Sequence, residues 1–228
     1  PRLFQASDGI RDATGGLVGS EMCIRARSRV MVKDAMAGVG FGDQYDKLGL
    51  RMTPTAGMTL AAVNIPSEDL IGKEHQGGKQ SERVVAEAWV LMSAPALGTA
   101  QGAMDRSLDY VKQREQFGKK IAQFQVTQHK LAEMAAQIEQ VRYLSYAAAK
   151  SFDTRKPDFK LAAMAKLSTA RTAVAVASEA VQLMGGYGYM TEYDVERFYR
   201  DAKTLALMGG SDMNLKNAIA KCVIGRIK

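Results

Sequence analysis

The 228-residue sequence is poor in the side chains that most often build compact chemical sites: it has two cysteines, two histidines and one tryptophan. Cys23 and Cys222 stand alone, without CxxC spacing or a set of histidine partners, which argues against both a disulfide framework and a zinc site. A reducing, cytoplasmic-type compartment is the expectation, and no metal is expected. His75 falls in a polar loop and His129 on a helix, and neither has a Ser or Cys partner pattern, so hydrolytic nucleophile–base chemistry has no anchor. Long apolar runs are lacking too. The least polar stretch, residues 88–98 (AWVLMSAPALG), falls far short of the roughly 20 residues a bilayer span needs, and no membrane span is expected. The remaining composition, 46% hydrophobic and 24% charged, fits one or two globular domains with a real core. The formal charge of +7 favours an anionic partner, whether a phosphorylated cofactor, an acyl-CoA or a nucleic acid. No dense Lys/Arg run concentrates that charge, so dispersed solvated lysines account for it equally.

The chain begins at Pro1 rather than Met, which predicts a fragment or a trimmed product. Residues 1–29 show neither period-2 nor period-3.6 patterning and no apolar core of a signal peptide. The piece LVGSEMCIRAR within them resembles translated sequencing-adapter read-through. The segment is set aside as unpatterned and of candidate artefactual origin, which resequencing the locus decides. From 30 to 76 the pattern is that of short strands punctuated by Pro54, Gly57 and Pro66, the end of a β domain. A polar, Gly-rich joint at 72–78 (GKEHQGG) separates it from long helices over 77–228.

In the second long helix Leu131, Met134, Ile138, Val141, Leu144 and Ala148 recur at steps of three and four, which lines one apolar face. In the third, Leu161, Met164, Leu167, Val174 and Val181 do the same. Pro157 sits where a first helical turn tolerates proline, and Gly185-Gly186 ends the helix. Pro95 lies inside the first long helix, where it lacks the N–H that would bond Leu91 and should bend the rod. Long antiparallel helices with short connections predict a mainly α fold, a C-terminal four-helix bundle preceded by the end of a small β domain.

Signals of chemistry are sparse. The run Gly185-Gly-Tyr-Gly-Tyr lacks GxGxxG spacing and a preceding strand, so a Rossmann phosphate loop is not expected. Residues 114–118 (REQFG) end a helix with a guanidinium that can grip phosphate oxygens in a bidentate way and a Phe that can lie against a ring system. The same residues also suit a plain helix terminus.

Residues 46–72 (DKLGLRMTPTAGMTLAAVNIPSEDLIG), 98–125 (GTAQGAMDRSLDYVKQREQFGKKIAQFQ) and 181–203 (VQLMGGYGYMTEYDVERFYRDAK) resemble the acyl-CoA dehydrogenase family. The match runs in one register from about residue 34 to the C-terminus, and RxxFG, QxxGGxG and RDA together are specific to the family. The resemblance implies an FAD-dependent oxidoreductase of fatty acid metabolism, assembled as a homodimer or homotetramer and passing electrons to an electron-transfer flavoprotein or similar acceptor. It implies that Arg114, Gln116, Phe117, Phe124 and Gln125 contact the pyrophosphate and adenosine of a neighbouring subunit's FAD. Gln182, Gly185 and Gly186 would approach an adenine from the opposite side of the dimer interface, where glycine lets backbone come close. Ser211 belongs to the same implied set of cofactor contacts, whereas Met213 replaces a polar residue that usually meets FAD.

The family's reaction is the α,β-dehydrogenation of an acyl-CoA thioester. A carboxylate removes the α-proton, and a backbone N–H beside that base stabilises enolate character on the thioester oxygen. The segment after RDAK usually reads YEGT, with Glu as base; here Gly209 replaces it, so the donor N–H survives and the carboxylate does not. A branch resembling the isovaleryl and long-chain enzymes takes its Glu from the first bundle helix, just before an Arg. Those two positions are Ala88 and Trp89 here, counting without gaps from Gly77. Glu87, one residue away, is the candidate displaced base, although it also stands four residues after Arg83 and suits a surface pair. Asp212 suits a cap of the last helix. Trp89 either narrows the acyl channel and stacks on a ring-bearing acyl group or is a buried core residue. Two other readings stay open: a non-catalytic flavin-binding subunit of a hetero-oligomer, and a nucleic-acid-associated flavoprotein resembling the alkylation-response branch. Nucleic acid is the less expected partner without a basic cluster.

Overall fold

The computed structural model describes residues 4–5, 28–154 and 157–225. The segment 1–29 lies outside the described residues except at its two short ends. Two compact units divide the chain: residues 1–47 with 51–85, and residues 48–50 with 86–228.

The first unit is built from short antiparallel strand pairs. β1 (Phe4–Gln5) and β2 (Arg29–Val30) precede β3 (Val39–Gln44), β4 (Ala56–Leu60), β5 (Asn64–Ile65) and β6 (Leu70–Ile71). β3 pairs with β4, Val39 opposite Leu60, with an irregularity between Phe41 and Gln44. β1 pairs with β5 and β2 with β6. Val63 and Ile65 are buried in this unit, and Lys33 pairs with Asp69 at 2.8 Å.

The second unit is helical. α1 (Gly77–Gln113) reaches it from residue 86 onward, followed by a hairpin of β7 (Glu115–Gln116) and β8 (Lys119–Lys120). Then come α2 (Gln125–Asp153), α3 (Phe159–Met184), the single turn α4 (Gly186–Tyr189), α5 (Val195–Leu207) and α6 (Asp212–Ile224). The core gathers Ala96, Leu97, Ala100 and Ala103 of α1, Met134, Ile138 and Val141 of α2, Val176 and Met184 of α3, and Val195, Ala202 and Leu205 of α5. The expected mainly α architecture with a C-terminal bundle is therefore present.

Several local expectations need correction. The buried face of α3 is not the Leu161–Met164–Leu167–Val174–Val181 stripe, whose members are all half-buried. It is mostly small residues, Ala162, Ala163, Ala165, Ala170, Ala173, Ala177 and Ala180, with Val176, Met184 and Lys166 among them. The physical reason is position: α3 is the middle helix, packed against α2, α5 and α6 at once, and a face made mostly of methyl-sized side chains lets three neighbours approach closely. The larger residues fill the seams between helices. Pro157 lies outside α3, because Asp158 is its N-cap and accepts from the Leu161 N–H at 2.9 Å. Gly185 does end α3, with φ +58, a conformation that suits glycine. Pro95 is accommodated within α1, and Leu91, whose carbonyl loses a partner there, is exposed.

The RDA segment acts as a latch within this unit. Asp201 Oδ1 accepts the Leu50 N–H at 2.7 Å, and Arg200 donates to the Leu48 carbonyl at 3.1 Å, so both side chains hold the short 48–50 piece against α5.

Candidate functional site

Of the REQFG residues only Arg114 still belongs to the end of α1, its N–H donating to the Tyr110 carbonyl at 2.9 Å. The helix ends at Gln113, and Arg114 opens a tight hairpin closed by the Ile121 N–H donating to the Arg114 carbonyl at 2.9 Å. Phe117 and Gly118 form its tip with φ of +51 and +76, the two successive positive angles of a two-residue turn whose twist matches its strands. The turn holds Phe117 out of the fold, 92% exposed. Its ring meets Phe124 edge-on at 6.5 Å, and Lys119 Nζ stands 4.4 Å over the Phe124 ring. Gln125 begins α2 directly after Phe124.

Beside this hairpin lies an open cleft of about 450 Å³, and its walls come from both segments that the resemblance singled out. Arg114 and Gln116 stand on one side, Gln182, Gly185 and Gly186 on the other. They were expected on opposite sides of a dimer interface; a single chain brings them together. A Cβ built at Gly185 or Gly186 would meet nothing within 4 Å, so the backbone there faces empty space that a ligand can occupy. Tyr110 and Tyr187 complete the wall. Arg114 lies 5.6 Å from the Tyr187 ring centroid, and burial pushes the Tyr110 phenol up, opposed by Arg114. The cleft thus offers a fork-shaped cation, two amides, aromatic surface and bare backbone, which suits the anionic and planar parts of a dinucleotide.

The second predicted locus, around Gly209, is different in kind. Gly209 and Gly210 both have positive φ, +74 and +117. A Cβ at Gly209 would lie 2.3 Å from Met92 Sδ and 3.7 Å from Trp89 Cδ1. Trp89, only 8% exposed, donates its indole N–H to the Gly209 carbonyl at 2.6 Å. The expectation that it stacks on an acyl group gives way to a buried residue that grips this loop. Lys166 of α3, 1% exposed, donates to the Ala206 carbonyl at 2.9 Å and the Gly210 carbonyl at 3.2 Å. Burial pushes its ammonium down to about 8, opposed by Asp212.

Ser211, not Asp212, caps α6: its hydroxyl accepts the Asn214 N–H at 3.4 Å. Asp212 is drawn instead to Arg171 at 2.5 Å, whose guanidinium holds that carboxyl below its usual range. Glu87 lies half-buried on α1 two residues before Trp89, about 200° around the helix, so its side chain leaves from the flank away from Gly209.

Sequence reasoning missed Lys166, Met92 and the Tyr110–Tyr187 wall. The signal for Lys166 was present: a single cation at the spacing of the alanine face, among Ala162, Ala163, Ala170 and Ala173. Among the described residues no cluster of His, Cys, Asp and Glu could hold a metal. No helix of the described residues is long and apolar enough to cross a membrane.

Comparison with known proteins agrees with the fold. Residues 76–224 match the family model for the acyl-CoA dehydrogenase C-terminal domain. The mitochondrial short/branched chain specific acyl-CoA dehydrogenase of Bos taurus is 36% identical over 186 residues, 82% of this chain and 43% of that protein. The 3-(aryl)acrylate reductase of Clostridium sporogenes is 36% identical over 181 residues, 79% of this chain and 48% of that protein. Among solved structures, butyryl-CoA dehydrogenase from Megasphaera elsdenii superposes with a TM-score of 0.83 at 35% identity, covering 86% of this chain and 51% of that one. The chain belongs to the acyl-CoA dehydrogenase family, and it spans about half the length of these relatives.

Proposed function

We propose that this chain contributes to FAD-dependent α,β-dehydrogenation of an acyl-CoA thioester. The observation that carries the reading is the cleft itself, where the two family segments meet beside bare glycine backbone. Arg114 would hold pyrophosphate oxygens, Gln116 and Gln182 would hydrogen-bond the sugar and base, and Phe117, Phe124 and Gln125 would face the adenosine of a second copy's cofactor. When bound, FAD supplies a two-electron acceptor. The protein's share is to bind and orient it, and to polarise the thioester carbonyl with the Gly209 N–H. Homodimer or homotetramer assembly and an electron-transfer flavoprotein as acceptor belong to the same reading.

The α-proton must leave to a group other than residue 209, and Glu87 is the carboxylate to test. A second reading, a flavin-binding subunit that does not catalyse, draws on Gly209: the position of the usual base is filled by Met92 and Trp89. Anaerobic addition of a panel of acyl-CoAs to the flavin-loaded protein separates the two. Bleaching of the flavin, lost in Glu87→Gln, supports the first reading with Glu87 as base, whereas bleaching that persists removes Glu87. No bleaching with any thioester favours the second, and a colourless, monomeric protein after reconstitution defeats both.

A further inference from the structure

Two consecutive glycines are the most mobile backbone a chain can build, yet Gly209-Gly210 sits where a donor N–H must keep its direction to within a fraction of an ångström. The structure supplies the missing restraint from outside the loop. Trp89 of α1 holds the Gly209 carbonyl. Lys166 of α3 holds the Ala206 and Gly210 carbonyls. Both side chains are buried, so water competes little for these bonds, and a lost partner would leave a polar group in a dry setting.

The geometry of the peptide unit turns these contacts into orientation. All peptide bonds here are trans, so each N–H points opposite to the carbonyl of the residue before it. Fixing the Gly209 carbonyl toward Trp89 aims the Gly210 N–H away from it, and fixing the Gly210 carbonyl toward Lys166 aims the Ser211 N–H away from the bundle core. The peptide bearing the Gly209 N–H lies between the held carbonyls of residues 206 and 209. Among the described residues neither the Gly209 nor the Gly210 N–H donates to a protein acceptor.

We propose that Trp89 and Lys166 are positioning residues, a two-sided clamp from separate helices that fixes the Gly210 and Ser211 amides directly and so restrains the backbone on which the Gly209 N–H is presented to the thioester carbonyl. The clamp replaces restraint that a side chain at 209 would otherwise give. Position 89, where the resembling branch has an arginine, here serves the loop. The proposal rests on the dehydrogenase reading for its chemistry, though not for the clamp itself.

The test uses Trp89→Phe, which keeps an aromatic ring and removes the donor, and Lys166→Met, which keeps most of the stem and removes the ammonium. In the flavin-loaded protein each is expected to lower kcat about tenfold or more while KM stays within about twofold, since a misaimed donor is felt mainly in the transition state. In flavin-free protein labelled with ¹⁵N at glycine, order parameters at Gly209 and Gly210 should fall from about 0.85 to below about 0.6. Unchanged order parameters in Trp89→Phe overturn the clamp, whatever the kinetics. A mobile loop with unchanged kcat overturns its positioning role, as does a parallel rise in KM with loss of bound flavin. A wild-type protein that turns over no thioester defeats the dehydrogenase reading alone, because the order parameters still report on the clamp.

Discussion

The cleft beside Arg114 and the loop around Gly209 each place a pair of glycines at a helix end, and the two pairs serve opposite purposes. At Gly185-Gly186 an added Cβ would project into open space, so the missing side chains leave room for something that is not protein. At Gly209 an added Cβ would run into Met92, so the missing side chain makes room for the protein's own packing. The same dipeptide therefore borders open space in one place and the protein's own packed side chains in the other. Only the surroundings tell them apart. The cleft keeps Arg114, Gln116, Gln182, Gly185 and Gly186 in an open setting, while Met92 and Trp89 close around Gly209.

The strongest way to break this contrast is to place a carboxylate at position 209. Gly209→Glu is expected to destabilise the chain by about 2–4 kcal/mol in urea unfolding, from the positive φ and from displacement of Met92. Met92→Ala added to it should recover the steric part only. A neutral Gly209→Glu would show that the loop is as open as the cleft. Next comes the opposite case. Arg114→Ala should change stability by less than about 0.5 kcal/mol yet weaken flavin binding by about 1.5–3 kcal/mol, the range for hydrogen bonds to charged groups, as read by fluorescence titration.

Lys166 gives a pH-dependent distinction. Its ammonium titrates near 8 in the fold against 10.5 for an ordinary lysine. Between those values the unfolded chain binds a proton that the folded chain does not, so this group makes stability rise with pH across that window. Unfolding measured at pH 8 and pH 10 should show a rise that Lys166→Met lacks; an identical pH dependence would place the ammonium in a wetter setting than its burial implies. The smallest effect belongs to the exposed Arg171–Asp212 pair. Arg171→Ala should cost about 0.2–1 kcal/mol, and less in high salt.

The sequence disclosed the helical unit because long helices announce themselves by period, and the stripe of α2 held at Met134, Ile138, Val141 and Ala148. The α3 stripe misled because apolar size was taken as a guide to depth. In a helix with neighbours on three sides most of the deepest positions go to small residues, and Leu161, Leu167, Val174 and Val181 are left half-buried. Arg114, Gln116, Gln182, Gly185 and Gly186 could be picked out by motif, but that they share one cleft in one chain depends on where the 114–121 hairpin folds back. That position 209 is a glycine was visible in the letters. Its consequence was not, since the indole and the ammonium that hold the loop come from residues 120 and 44 positions distant, beyond the reach of any local pattern.

The alanine-lined middle helix carries a consequence for how this domain tolerates change. A helix face lined mostly by methyl groups has few long side chains of its own to absorb an intruder, so one added isopropyl at Ala173 or Ala177 is felt by the neighbouring rods as well as by single rotamers. Substitution scanning of α3 should accordingly return fewer permitted replacements per position than α2, and those permitted should be Gly, Ser or Cys.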